Sequence, residues 1–477
     1  MTIACVIGAL LEIRRTGEIL SPLILFLGLS ALDVYMPAVL FAVSGQPALA
    51  PWLDRDPVLG SMPAAVVVFT AGLVLFVIGY AAAHRWPAPR NAVAATPSEA
   101  SRRGAYFAGI GLVVAALWYA GTIAYRSAAV GSLGLYFANG LVVRWQAEPL
   151  AAQYPAASGL TVVALQIGDA MLPIITLAAL ILLTARAVHP LIRFVIAPAV
   201  GLVASFTTFF RGSLLAYFIS FAAVADRREP GGRPSRHLLG AALVVVGVTL
   251  FLGYGVIRNA AVLAVQHQEE AKASATRSAT ASTGGPASAT PAVIPTSVPI
   301  VTGEAVDYEA GRVLRGEGLI GLSSIIAYYP SHQQFLGGQT IRDMLLLPIP
   351  RSIWHDKPAW YGIAQITRGE GEPESTQSAV TIPGELYANF GPFGVAGTVF
   401  YGMLFGFFHR LRNGRRFRYA YAAILLPVMF VTFWMSTTGL INGLLPLAPA
   451  AVVLFAVFPP RLGLDRLRAT RLRSASA

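Results

Sequence analysis

The chain has 477 residues, 55% of them hydrophobic and only 12% charged, about half the ~25% of an ordinary soluble domain. With a mean hydropathy of +0.63, that composition excludes a cytosolic enzyme and a disordered chain, and the single cysteine, Cys5, excludes a disulfide scaffold and a cysteine metal cluster. A net charge of +12 would direct a soluble chain towards nucleic acid, but here the arginines gather in short breaks between apolar runs, the positive-inside pattern of an all-α polytopic membrane protein with no nucleic-acid partner.

A span needs roughly 20 apolar residues, and about ten candidates are readable. They cover 20–43, 59–83, 104–125, 158–184, 191–208, 213–225, 238–256, 391–408, 419–437 and 439–458. The sixth is short and borrows residues from 209–212. The stretch before Arg14 is too short to cross, and the first span reads as retained rather than cleaved. Arginine groups precede span one, follow spans two, six and eight, flank the turn between four and five, and fill the tail. With both termini cytoplasmic, all of them fall inside.

The chain then divides into seven spans in 1–256, an extracytoplasmic segment in two parts, spans eight to ten in 391–460, and a basic cytoplasmic tail at 461–477. The first extracytoplasmic part, 257–302, is rich in Ser, Thr, Ala and Pro and reads as a flexible tether. The second, 303–390, carries Trp, Tyr, Arg, His and Glu among short apolar runs. Within it, 319–329 reads as an amphipathic or interfacial helix, and Tyr328, Tyr329, Trp354, Trp360 and Tyr361 suit the headgroup layer, or are ordinary loop aromatics. No internal repeat is visible.

No P-loop, GxGxxG after a strand or HExxH occurs, and the seven histidines show no metal-ligand spacing. The informative block is 337–362, GGQTIRDMLLLPIPRSIWHDKPAWYG. It brings Arg342, Arg351, His355, Asp356 and Lys357 beside apolar residues on a backbone stiffened by three prolines. Such cations suit a phosphorylated lipid, Arg as a fork and Lys as a point charge; the alternative is a solvated loop anchored to headgroups. Lys357 stands out because Lys272 is the only other lysine. A second block, TIPGELYANFGPFGVAG at 381–397, sets Glu385 at the mouth of span eight, as a catalytic carboxylate or as a helix cap. Arg211, in FFRGSLL at the turn between spans five and six, either meets an anion or snorkels. Asp33 and Asp169 lie within spans, as proton relays or as partners of an Arg or a backbone group. The polar Tyr136, Asn139 and Arg144 suit a re-entrant or surface helix.

LPIPRSIWHDKP, followed about two dozen residues later by GELYANFGPFGV, resembles the Wzy-type polymerases of bacterial O-antigen and exopolysaccharide repeat units. FFRGSLL is similar to the Arg-Gly hairpin shared with the O-antigen ligases. The Ser/Thr/Pro tether departs from that family, and His355 stands where a Pro is common. The resemblance implies a glycosyltransferase of the inner, or cytoplasmic, membrane, acting at its outer face without cofactor or metal. It implies that an undecaprenyl-diphosphate-linked glycan is transferred to a sugar hydroxyl of a second lipid-linked repeat unit. Arg211, Arg351 and Lys357, with Arg342 behind them, would hold the diphosphate. Glu385, or next His355, would be the base. Membrane lipids surround the chain, and a chain-length regulator and a flippase of the same pathway are implied partners. Two other readings are open: a ligase that uses another acceptor, and a transporter of lipid-linked oligosaccharide.

Overall fold

The structure is a computed structural model that describes residues 1–16, 18, 20–44, 55–85, 102–129, 133, 159–207, 211–225, 239–254, 256–257, 317–346, 366, 380–412, 417–444 and 446–457. These residues are helical, with no strand among them. Four helical stretches are long and apolar enough to cross a membrane: Pro22–Val43, Val58–Arg85, Gly104–Ala128 and Ile382–Leu411. They coincide with the first, second, third and eighth expected spans. Shorter apolar helices occupy the fourth to seventh and the ninth. Large apolar side chains face outward along them, including Val67, Leu117, Val203 and Phe400. Water would disfavour so much exposed apolar surface and lipid would not, which marks a membrane protein.

In chain order the helices are α1 (Thr2–Thr16), α2 (Pro22–Ser30), α3 (Met36–Ser44), α4 (Arg55–Arg85), α5 (Arg102–Ala129) and α6 (Gly159–Thr184). Then come α7 (Ala197–Phe206), α8 (Arg211–Ala225) and α9 (Leu239–Tyr254). After the long segment come α10 (Glu317–Tyr328), α11 (Gln339–Leu345), α12 (Ile382–Phe390), α13 (Thr398–Leu411), α14 (Leu426–Leu444) and α15 (Leu447–Val457). A 3-10 stretch, Gly391–Gly397, joins α12 to α13. The short helix α1 folds back along α2, with Gly8 against Leu27, and reaches the turn that follows α2.

That turn is a π turn, Ala31–Tyr35, and two more are described, Ile192–Ile196 and Tyr421–Leu425. Each stands two residues before a proline, Pro37, Pro198 or Pro427. A proline ring clashes with the carbonyl four residues earlier and offers it no N–H. In all three cases that carbonyl belongs to the middle residue of the π turn. The local widening therefore lets each helix run through its proline without ending.

The closest helix pair is α4 with α13, which run parallel with their backbones in contact. A Cβ on Gly79 would lie 2.0 Å from the Val399 carbonyl oxygen, and one on Gly402 would lie 2.0 Å from that of Phe76. Gly402 and Gly406 form a GxxxG pair, the spacing that lets two membrane helices approach this far. Around this pair pack α2, α14 and parts of α8, α10 and α12, joined by Phe26, Phe69, Phe76, Phe405 and Phe433. A second core gathers α5, α6, α7, α8 and α15.

The segment 317–346 corrects one expectation. Helix α10 does not lie on a membrane surface: Gly318 to Ile325 are buried, and Tyr329 is fully buried rather than placed at headgroups. Its Gly and Ser residues, which look polar in sequence, are the small residues that admit it between helices. Tyr328 is part-buried and stacks on His332. Trp354, Trp360 and Tyr361 lie outside the described residues, as do the tether, the basic tail, Tyr136, Asn139 and Arg144.

Candidate functional site

The two sequence blocks, 337–362 and 381–397, meet in space through α11 and α12. Helix α12 starts with Pro383 in its first turn, where the missing N–H does no harm. It stops at Gly391, whose φ of 68° suits glycine. Beyond the helix end, the last carbonyls of α12 take donors from the other block. Leu336 N–H donates to Ala388 O at 3.0 Å and Gly337 N–H to Asn389 O at 2.8 Å. Gly337 and Gly338 both have positive φ, 59° and 85°, which turns the chain sharply from that contact into α11.

Glu385 sits where these elements converge and has no solvent exposure. The Thr340 hydroxyl of α11 donates to its Oε1 at 2.8 Å. The Thr437 backbone N–H of α14 donates to its Oε2 at 2.8 Å. Asn389, one turn further along α12, donates through Nδ2 to Thr340 Oγ1 at 2.7 Å and to the Glu385 carbonyl at 2.8 Å. The donation by Thr437 is possible because α14 breaks beside it: Ser436 has φ 45° and ψ −134°. In a continuous helix the Thr437 N–H would serve the carbonyl four residues back. The carboxylate thus ties α11, α12 and the break in α14 together. It lies in the first turn of α12, where a negative charge favours the helix dipole, but both bonds it accepts come from other helices and it is enclosed rather than exposed at a mouth.

Arg342 is on α11, two residues after Thr340 and so turned to another side of the helix. Its side chain is 65% exposed, and Asp343 steadies it with contacts of 2.8 and 2.9 Å. Of the other expected diphosphate ligands, Arg351 and Lys357 lie outside the described residues, as does His355. Arg211 is the first residue of α8, and its side chain is outside the described set. Asp169 falls within α6 with the same restriction.

Asp33, in the first π turn, is joined to the same centre. Its Oδ2 accepts the Gly318 N–H at 3.0 Å, which caps α10. A Cβ on Gly318 would lie 2.4 Å from that oxygen and 3.1 Å from Thr381 Cγ2. Thr381 is one turn before Glu385. Of the roles open to Asp33, the one seen is partner to a backbone group. A polar line therefore runs through apolar surroundings from Asp33 past Gly318 and Thr381 to Glu385, Thr340 and Asn389.

A second polar cluster closes the opposite end of α4 and α13. Glu18 pairs with Arg412 and, at 3.3 Å, with His409 Nε2. His409 Nδ1 meets the Tyr80 hydroxyl, and Arg410 donates to the Ala83 carbonyl at 2.7 Å. Arginine groups from before span one and after span eight are thus gathered with the end of span two. Sequence reading named Glu385, quoted Thr340 and Asn389 within the two blocks without giving Thr340 a role, and passed over Thr437. Among the described residues no three His, Cys, Asp or Glu side chains gather as metal ligands.

Comparison of the chain with protein families, curated proteins and solved structures finds no match.

Proposed function

We propose that the chain is a glycosyltransferase that polymerises lipid-linked oligosaccharide repeat units at the outer face of the cytoplasmic membrane. The observation that carries the reading is the enclosed Glu385 of the second resembling motif, bonded by Thr340 of α11, the helix that leads in sequence into the first motif. In this reading the chain has about ten spans with both termini inside, and 303–390 forms the catalytic segment over the outer leaflet.

The acceptor's sugar hydroxyl replaces the Thr340 hydroxyl at Glu385 Oε1 and gives its proton to the carboxylate. Its oxygen then bonds the donor's anomeric carbon as the bond from that carbon to the lipid diphosphate breaks. The electron pair leaves with the diphosphate, whose charge Arg342, Arg211, Arg351 and Lys357 stabilise. His355 is the second candidate base. The substrates are undecaprenyl-diphosphate-linked glycans, with a chain-length regulator and a flippase as companions.

The test is an assay of the purified chain in lipid nanodiscs with a lipid-diphosphate-linked repeat unit, products resolved as a ladder. Wild type should extend the glycan. Arg342→Ala should slow extension about tenfold or more, the effect of losing one charged contact to the leaving group. Glu385→Gln should abolish it. A wild type that makes no ladder from its authentic repeat unit overturns the reading.

A second reading has its own observation. A helix broken at Ser436 beside a buried carboxylate is the kind of discontinuity around which transporters build substrate and ion sites. Movement of a fluorescent lipid-linked oligosaccharide between leaflets, without extension, would select it.

A further inference from the structure

Glu385 is enclosed, yet both donors to its carboxylate are neutral. The hydrogen bonds run one way: Asn389 Nδ2–H donates to Thr340 Oγ1, the Thr340 hydroxyl to Oε1, and the Thr437 N–H to Oε2. An ionised carboxylate removed from water is costly unless a positive charge accompanies it. Among the described residues none does. The contrast is Asp343, which is equally buried and has Arg342 against it.

Two further oxygens flank Glu385. Asn389 is one turn after Glu385 on the same side of α12, and Thr381 is the residue immediately before the helix. Thr381 Oγ1 and Asn389 Oδ1 are buried and have no hydrogen-bond partner. Both residues are essentially inaccessible, at 0% and 1% exposure. The break at Ser436 sets the Thr437 N–H, at the start of the following half-helix, against Oε2. A carboxylate and two orphan side-chain oxygens are ligands for a compact, hard cation.

We propose that the Glu385 cluster is a binding site for one compact monovalent cation, Na+ or a proton, held between α11, α12 and the break in α14. The charge follows from the ligand set. One carboxylate balances one positive charge, and the nearby acids are engaged elsewhere, Asp343 by Arg342 and Asp33 by Gly318. Occupancy would tighten the junction of the three helices, because the ion bonds groups from more than one of them. The other titratable or charged groups on the elements packed around it are Asp33, Glu317 on α10, Arg342 and Asp343 on α11, Tyr387 on α12 and Tyr401 on α13. The site rests on this geometry alone, not on glycosyl transfer.

The test follows thermal unfolding of the full chain in nanodiscs, without lipid-linked substrate. In one arm NaCl replaces choline chloride at constant ionic strength and neutral pH, with KCl as control. In the other, pH is lowered from mildly alkaline to mildly acid in choline chloride. A saturable rise of the midpoint in the first arm identifies Na+; a rise confined to the second identifies the proton. In Glu385→Gln, neutral and of the same shape, the response should vanish. Asn389→Ala and Thr381→Val keep the carboxylate. If the ion is Na+, each should shift its half-saturation about tenfold, as loss of one ligand of ordinary strength does. A wild type that responds in neither arm, or a Glu385→Gln variant that responds as wild type does, overturns the proposal. Because no substrate is present, either result is independent of whether the chain polymerises glycans.

Discussion

The molecule encloses carboxylates at both ends of the α4–α13 pair and handles them in opposite ways. Glu18 keeps some solvent contact, at 17% exposure, and lies between Arg412 and His409. Glu385 has no solvent contact and is held by a threonine hydroxyl and a backbone N–H. The first arrangement is a fastening: charges from three helix ends neutralise one another, and water shares the load. Among the described residues the second meets its carboxylate with neutral donors alone, although wholly neutral parts would tie the helices as well. That difference is what singles out the Glu385 end as the candidate site.

The largest expected effect comes from removing Glu385. Glu385→Ala strands two buried donors, and at about 1–3 kcal/mol for each the chain should lose roughly 3 kcal/mol, read as a lowered unfolding midpoint in detergent. Thr340→Val comes next. It deletes one donor to the carboxylate and the acceptor of Asn389, with a loss of about 1–2 kcal/mol and no change in overall helix content by circular dichroism. Glu18→Ala should cost about 1 kcal/mol, because Arg412, at 22% exposure, can turn to water while the enclosed His409 loses only a 3.3 Å contact. That loss should shrink as salt is raised, whereas the Glu385→Ala loss should not. A Glu18 variant more damaging than the Glu385 variant would break the comparison. Gly318→Ala is the finest probe. Its Cβ would lie 2.4 Å from Asp33 Oδ2, so that carboxylate must give way by about 1 Å, at a cost of up to about 1 kcal/mol. It should also raise protease cleavage within 303–316 in limited digestion.

These contrasts also show what can be read from residues alone. Glu385 is conspicuous, an acid in a glycine-bounded run of an acid-poor chain. Its partners are not. Thr340 and Thr437 lie 45 and 52 residues away, and a neutral hydroxyl or a backbone N–H has no sequence signature until a helix break aims it. The four long apolar helices follow directly from composition, since length and hydropathy are all that a span requires. Helix α10 was inverted for the same reason: polar-looking Gly and Ser residues signal a wet face in soluble proteins and a packing face among membrane helices. The π turns were not legible: Pro63 and Pro173 also lie inside helices without one, and apolar periodicity alone cannot register one extra residue in a turn.

The backbone contact between Gly79 and Val399 also has a consequence in time. More than three hundred residues separate the two glycine-bearing helices. At about 5–20 residues per second, a ribosome needs on the order of a quarter of a minute to a minute to pass from one to the other. Throughout that interval α4 is already made while the helix that fills its glycine face has yet to be synthesised. Lipid, or a neighbour that will later give way, must occupy the face meanwhile. The parallel pair at the heart of the bundle is therefore among the last contacts that biogenesis can complete.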